Sequence, residues 1–179
     1  MSHNSRCAFF NPHHIKGESC TKNSEGVQSH IIDMFTFHVD KTFFVAPYLA
    51  INHWTLIIIC PSTERGYIID SINREKDQHS YLLTSIIDEA FGFPFLWEMV
   101  KCKQQKNDWE CSFMIIKHMH EFVNSIQHDF PIKLWNEKGF LPQKEIDKLI
   151  LDLVPQFISM VFPTGQMLSY FVFRISFEF

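Results

Sequence analysis

A cysteine lies where a polar, turn-prone segment changes into a strongly periodic apolar one. In the stretch QQKNDWECSFMIIKHMHEFV, the residues before Cys111 are typical of a loop, and the apolar residues after it recur every three or four positions, as on one face of a helix. The first turn of a helix favours a thiolate, because the backbone N–H groups there carry partial positive charge. Cys111 is therefore a candidate nucleophile, and a small core residue and a metal ligand are the two alternatives.

A catalytic thiolate needs a base, and one candidate lies beside two predicted strands. His53 immediately precedes the apolar run WTLIIIC, and Asp70 ends the following run YIID. The connection PSTERG is short, so the two runs form an antiparallel hairpin that brings His53 and Asp70 close together. Such an Asp would hold the imidazole in the tautomer whose other nitrogen faces the thiol. Gln105 is a candidate hydrogen-bond donor to an oxyanion. A satisfied histidine, a turn-forming aspartate and a solvated loop amide are the structural alternatives for these three partners.

The rest of the chain predicts an α+β domain that would position these side chains. Strands dominate the middle of the chain, one helix lies between them, and further helices follow Cys111. The last predicted helix is broken by Pro155, because proline interrupts the hydrogen bonds of a helix. His118 and His120 are two residues apart on a helix, so they are predicted to lie on different faces at the surface. The predicted strands span residues 42–49, 54–60, 67–72 and 97–103, and the predicted helices span 80–92, 111–126 and 144–154.

The chain divides into three predicted parts. Residues 1–30 are polar and lack periodicity, so they predict a poorly ordered N-terminal arm. Residues 31–160 are predicted to form one domain, which is long enough to bury a proper core. Several of the 19 phenylalanines crowd into residues 161–179, which are predicted to be a tail.

Composition and charge argue against several classes of protein. The chain carries 20 acidic and 16 basic residues, a net charge of −4, which favours neither a nucleic acid nor a membrane as partner. No apolar stretch reaches the roughly 18 residues that a membrane span needs. The five cysteines show no C-x-x-C spacing and follow no signal peptide, so we expect a soluble monomer in a reducing, intracellular compartment.

Cysteine and histidine residues near the N-terminus raise the question of a metal. Cys7, His13, His14 and Cys20 lie in a polar segment, and their spacing fits none of the standard zinc-finger patterns. No metal site is therefore predicted there.

Two motifs of this chain are shared with one family of proteases. The segment HWTLIIICPSTERGYIIDS resembles a His-Trp … Tyr-x-x-Asp-Ser signature, and QQKNDWECSFM is similar to a Gln-Gln-x-Asn-x-x-Asp-Cys-Gly segment. Both belong to the SUMO-specific (ubiquitin-like-protein-specific) cysteine proteases. The similarity covers about Phe43 to Val123, and the chain resembles the transposon-associated plant members of the family.

The resemblance implies a fold, a reaction and a role for each matched residue. The fold would be a papain-like α+β core with a mostly antiparallel sheet flanked by helices and the nucleophile at a helix N-terminus. His53 would be the general base and later acid, with Asp70 orienting it. Cys111 would be the nucleophile and Gln105 an oxyanion donor, while Trp54 would wall a tunnel for a Gly-Gly tail. The enzyme would cleave after the Gly-Gly of a SUMO-type modifier or its conjugates, in the nucleus or cytoplasm, without a metal or cofactor.

The chain departs from the family pattern beside the nucleophile. Ser112 replaces the usual Gly and Glu110 replaces the usual Asp. A Cβ at position 112 crowds the oxyanion hole, and a displacement near 1 Å there would cost about 100-fold in rate. One alternative is therefore a catalytically weak or inactive module that binds a modifier through the same scaffold. Another is an enzyme for a different ubiquitin-like protein or acyl group, as in deneddylases, viral proteases and effector acyltransferases.

Overall fold

The computed structural model of the chain describes residues 6–72, 78–125, 135 and 139–161. Two compact units divide the chain, Met1–Leu141 and Pro142–Phe179. The first contains a five-stranded sheet in the order β1-β2-β3-β4-β5. The strands are β1 Cys7–Phe9, β2 Phe43–Ala50, β3 His53–Cys60, β4 Arg65–Ile69 and β5 Leu96–Val100, and the helices are α1 Pro12–Ile15, α2 Gly17–Lys22, α3 Ser24–Phe37, α4 Gln78–Phe91, α5 Cys111–Ser125 and α6 Gln143–Val161.

The sheet is evenly mixed. The central strand β3 runs antiparallel to both β2 and β4, whereas β1 pairs parallel to β2 and β5 pairs parallel to β4. Helices α1 to α3 carry the chain from β1 to β2, and α4 carries it from β4 to β5, as parallel neighbours require a long crossover. The α+β class with a sheet flanked by helices is confirmed; antiparallel pairing holds the centre of the sheet, and parallel pairing is confined to the two edges, where helices replace hairpins.

The central strand β3 is covered on both faces, as its continuous apolar run predicts. Ile57 and Ile59 belong to one core cluster, which includes residues of α3 and α4. Leu56 and Ile58 point to the other face and join a second cluster with Ile115 of α5. The sheet therefore separates two hydrophobic cores, and α5, with Cys111 as its first residue, lies on the second.

The N-terminal residues are folded from Cys7 onward, so the prediction of a poorly ordered arm over residues 1–30 is wrong for this part. Asn11 and Asn23 cap α1 and α3 by accepting hydrogen bonds from the backbone. Ile15 and Cys20 are each 1% exposed. These short helices turn a few apolar residues inward and the many polar ones outward. The polar composition of the whole segment conceals this pattern.

The second unit is described through α6, which runs to Val161. The prediction that Pro155 breaks this helix is wrong. Leu151, whose carbonyl oxygen loses its helical hydrogen bond to Pro155, is 73% exposed, so water can take the place of the missing N–H. Within the described part of the chain, no helix is long and apolar enough to cross a membrane. The phenylalanine-rich tail lies outside the described residues from position 162 onward.

His118 is buried, contrary to the expectation that it lies at the surface. It is 4% exposed and its ring makes an edge contact with Trp135, with ring centroids 5.5 Å apart. Burial lowers the pKa of His118 to about 3, so the imidazole is neutral in the folded protein. His120 is exposed, as expected.

Candidate active site

His53 and Asp70 form a buried pair at one end of the sheet. His53 begins β3, and Asp70 follows the last residue of β4. The antiparallel pairing of these strands brings the two residues together, and His53 Nε2 lies 2.6 Å from Asp70 Oδ1. A carboxylate only accepts hydrogen bonds, so Nε2 carries the proton and Nδ1 is the nitrogen that can take up another. Asp70 Oδ1 also accepts the backbone N–H of Ile72 at 2.8 Å, which fixes the carboxylate.

A tight turn places His53 at the start of its strand. Ala50 and His53 are paired across β2 and β3, so the turn between them contains only Ile51 and Asn52. Both have positive φ, 44° and 59°, as in a type I′ turn. Trp54, the next residue, is half-buried against the core that also contains Leu56.

Cys111 is the first residue of α5, where the sequence pattern places it. Its side chain is 5% exposed, and Sγ donates a hydrogen bond to the carbonyl oxygen of Asp108 at 3.7 Å. The thiol therefore bonds to Asp108 in this structure and not to His53. The next residue, Ser112, directs its hydroxyl to the carbonyl oxygen of Trp109 at 3.3 Å.

Glu110 closes the loop that leads into α5. Its carboxylate is 1% exposed and accepts the backbone N–H of Lys106 and the side-chain amide of Asn107, each at 2.7 Å. Burial alone would raise the pKa of Glu110, but these hydrogen bonds outweigh it and lower the pKa below its usual value. The sequence pattern marks Glu110 only as a departure from the usual Asp and gives no sign of this role.

Gln105 is held at three points in the same loop. Its backbone N–H donates to the carbonyl oxygen of Ser71 at 2.9 Å, and its side-chain Oε1 accepts the Ser71 hydroxyl at 2.6 Å. Its Nε2 donates to the carbonyl oxygen of Asn107 at 2.8 Å. An amide nitrogen has two N–H groups, and no described residue accepts the second one from Gln105.

Two further side chains hold the backbone behind Asp70. The Cys102 thiol donates to the carbonyl oxygen of Asp70 at 3.1 Å, and Gln104 Nε2 lies 3.4 Å from the same atom. Burial, reinforced by the negative charge of Asp70, raises the pKa of Cys102 to about 12. Sequence reasoning did not assign either role, and only the adjacency of Gln104 to Gln105 could have suggested one.

The other cysteines and histidines that the structure describes do not gather around a metal site. Among the described residues, no group of three or more His, Cys, Asp or Glu side chains has the geometry to hold a metal ion. The Cys20 thiol donates to the carbonyl oxygen of Ile15 at 3.3 Å. Burial raises the pKa of Cys7 and of Cys20 to about 11.

Together these residues provide the parts of a nucleophilic site. A chain of hydrogen bonds and adjacent residues connects the His53–Asp70 pair through Ser71 and Gln105 to the loop before Cys111. It contains an imidazole whose Nε2 is held by Asp70, a thiol at a helix N-terminus and an amide with one N–H that no described residue accepts. Such a set is suited to acyl transfer.

Comparison with known proteins identifies the fold. No protein-family model matches the chain, and no curated protein matches it in sequence. The chain has the fold of the Ulp1 and XopD proteases. It is 14% identical to the Ulp1 protease domain in complex with Smt3, the yeast ortholog of SUMO, with a TM-score of 0.57 over 80% of this chain and 64% of that chain. It is 11% identical to the Xanthomonas campestris effector XopD bound to ubiquitin, with a TM-score of 0.59 over 83% of this chain and 78% of that one.

The match to Ulp1 is partial in length. For Ulp1 with its catalytic cysteine oxidised to a sulfinic acid, identity is 18% and the TM-score is 0.54 over 72% of this chain. The chain spans 63% of that Ulp1 chain. At this level of identity the comparison establishes a shared fold, and what the fold does here is a separate question.

Proposed function

We propose that this chain is a cysteine-type peptidase that cleaves after the C-terminal Gly-Gly of a ubiquitin-like modifier. The observation that carries the proposal is the buried 2.6 Å contact between His53 and Asp70, on a Ulp1-type fold whose candidate nucleophile begins a helix. The Asp70 contact orients the His53 imidazole for proton transfer. A nucleophilic Cys111 requires such a base, whereas a purely structural Cys111 does not.

The proposed reaction begins with the thiol turning from the Asp108 carbonyl toward His53. Nδ1 of His53 takes the thiol proton, and the thiolate attacks the carbonyl carbon of the terminal glycine. The oxyanion accepts hydrogen bonds from the Cys111 backbone N–H and from Gln105 Nε2. The imidazolium returns its proton to the leaving amine, which breaks the C–N bond and leaves a thioester. Water, activated by His53, then hydrolyses the thioester and frees the thiol.

A SUMO-type modifier is the proposed substrate. The support comes from the matched motifs around His53, Trp54 and Cys111, and from solved relatives that were captured with Smt3 and with ubiquitin. Trp54 is half-buried and follows His53, and it would form one wall of the passage for the Gly-Gly tail. A substrate residue larger than glycine would not fit in that passage. The plant transposon-associated members remain the subgroup that the motifs resemble, with action in the nucleus or cytoplasm and no cofactor.

A modifier-binding module with weak or absent catalysis is the second candidate. The observation that favours it is Ser112, whose hydroxyl bonds to the Trp109 carbonyl directly beside the proposed oxyanion hole. Its side chain occupies space that a Gly leaves open. In this case the scaffold would bind the modifier and release it uncut.

Covalent capture tests the proposal. The protein is incubated with SUMO, NEDD8 and ubiquitin probes that carry a C-terminal electrophile, and adducts are detected by intact mass. We expect an adduct with the SUMO probe in the wild type and in Cys60→Ala, a matched control that removes another buried cysteine. Cys111→Ala should give no adduct and no turnover while its thermal unfolding stays nearly unchanged.

The outcomes separate the candidates. An adduct that survives Cys111→Ala would refute the assigned nucleophile. Binding without an adduct would support the second candidate, and Ser112→Gly would then be the variant that restores capture. An adduct with the ubiquitin or NEDD8 probe alone would retain the mechanism and replace the substrate.

A further inference from the structure

Two consecutive residues after β4 contact two different groups of the site. Asp70 holds the His53 imidazole at 2.6 Å. Ser71 holds Gln105 twice, through its backbone carbonyl at 2.9 Å and through its hydroxyl at 2.6 Å. A single peptide unit therefore links the position of the proposed base to that of the proposed oxyanion donor.

The Ser71 hydroxyl acts on the orientation of the Gln105 amide. Oε1 and Nε2 are similar in size, so packing alone distinguishes them poorly. The Asn107 carbonyl accepts from Nε2 at 2.8 Å, and in the reversed amide it would face Oε1, acceptor against acceptor. In the observed orientation Ser71 donates to Oε1. The Asn107 carbonyl, which only accepts, selects this orientation, and the Ser71 hydroxyl holds the other end of the amide in place by donating to Oε1.

The Ser71 hydroxyl and the Asn107 carbonyl together form a clamp on the Gln105 amide. Because this clamp is buried, water cannot easily take the place of its hydrogen bonds. Ser71 is 2% exposed and Gln105 is 8% exposed. Without the hydroxyl, no described residue would donate to the buried Oε1, and the amide would gain freedom to rotate.

We propose that Ser71 is a positioning residue for the oxyanion donor: its hydroxyl locks the Gln105 amide so that the second Nε2–H group is available to the substrate carbonyl. The kinetic part of this inference rests on the proposed peptidase function. The structural part, the clamp itself, does not depend on activity.

A double-mutant cycle tests the kinetic part. With a fluorogenic C-terminal amide of the captured modifier, Ser71→Ala should lower kcat about 10-fold with little change in KM, and Gln105→Ala should lower kcat about 100-fold. In the Gln105→Ala background, Ser71→Ala should have almost no further effect, because the group that it positions is gone. Multiplicative losses would overturn the inference, since they would mean that Ser71 acts through something other than Gln105.

Side-chain amide NMR tests the structural part. The two Nε2–H resonances of Gln105 are assigned by their loss in Gln105→Ala. In the wild type we expect two sharp, well-separated signals, and in Ser71→Ala we expect shifted and exchange-broadened ones. Unchanged signals in Ser71→Ala would overturn the clamp whether or not the protein is active.

Ser19→Ala is the matched control, because Ser19 donates its hydroxyl to the His13 carbonyl in the helical layer on the other face of the sheet. It should alter neither the Gln105 signals nor kcat. The two proposals also fail separately. Absence of a Cys111 adduct would refute the peptidase function and leave the NMR result standing, whereas capture with unchanged amide signals would refute only the role of Ser71.

Discussion

Glu110 illustrates how one buried side chain can set the geometry of a site without touching a substrate. Its carboxylate ties the backbone of Lys106 and the side chain of Asn107 to the residue before Cys111. Hydrogen bonds to a charged group contribute more than those between neutral groups. The negative charge of Glu110 therefore helps to hold the loop that carries Gln105.

Glu110→Gln should destabilise the protein by about 1–3 kcal/mol at pH 7, because the NH2 end of the new amide would face one of the two donors, the Lys106 backbone N–H or the Asn107 amide. The lowered pKa of Glu110 means that its contribution is complete above the ordinary glutamate pKa and is lost as pH falls through the folded-state pKa. The difference between variant and wild type should therefore shrink in acid. Urea unfolding measures it, with Glu89→Gln at an exposed position as control. Equal stability at pH 7 would contradict the role of Glu110.

Burial of His118 predicts a loss of stability in mild acid. Its folded pKa of about 3 lies below that of an unfolded histidine, so only the unfolded state gains a proton as pH falls from neutral. Between about pH 6 and pH 5, His118 should reduce the free energy of unfolding by about 1 kcal/mol per pH unit. His118→Gln should flatten this slope, and His120→Gln should not. An unchanged slope in the first variant would show that His118 is protonated in the fold.

At the scale of the elements, the turn between β2 and β3 positions His53 but lowers the stability of the protein. Ile51 has a φ of 44° and is 65% exposed, so a β-branched residue adopts a left-handed conformation with little packing to offset the strain. Asn and Gly are the residues that such a turn favours.

Ile51→Asn should therefore stabilise the protein by about 1 kcal/mol, because Asn tolerates the left-handed conformation. Thermal unfolding measures the change. Asn52 already has a favourable residue type at its φ of 59°, so Asn52→Ala is the control and should destabilise. A lower melting temperature for Ile51→Asn would mean that Ile51 packs better than its exposure indicates.

Glycine is required where β4 meets β5. Gly66 pairs with Trp97, and a Cβ built on Gly66 would lie 2.2 Å from the indole ring. The ring cannot easily move, because its N–H donates to the Asp88 carboxylate at 3.1 Å. Gly66→Ala should cost about 1–3 kcal/mol of unfolding free energy. Combined with Trp97→Leu, the same substitution should cost much less, and equal costs in both backgrounds would contradict the clash.

At the scale of the whole molecule, the sheet divides the described core in two, and the candidate site lies on the side of α5. Burial governs the cysteines on both sides. All five are buried, and none forms a disulfide. The pKa values of Cys7 and Cys20, about 11, and of Cys102, about 12, leave these three thiols protonated at neutral pH.

Cys7, Cys20 and Cys102 should therefore resist alkylation by iodoacetamide at pH 8, since the thiolate is the reactive form. Peptide mass spectrometry after native and denaturing labelling measures the modified fraction. We expect these three cysteines to react only after unfolding. Rapid native labelling of Cys102 would show that its contact with the Asp70 carbonyl opens readily.

The sequence predicted the elements whose periodicity is strong and the residues that lie at their ends. The apolar run of β3 and the helical spacing after Cys111 were sufficient to place His53 and Cys111 at element boundaries. The parallel edge formed by β1 was not predictable, because β1 is only three residues long. The contacts of Ser71, Cys102 and Glu110 depend on how two loops meet, and such contacts leave no periodic signal.

Trp109 gives the molecule an optical reporter beside its candidate nucleophile. The indole is 51% exposed, two residues before Cys111, and it makes an edge contact with Phe113 at 5.8 Å between ring centroids. Its neighbours in the loop are fixed by Glu110. A bulky acyl group on the thiol would change the solvent around this ring and shift its emission. The formation and decay of an acyl-enzyme could then be followed in unlabelled protein by stopped-flow fluorescence, with Trp109→Phe identifying the source of the signal.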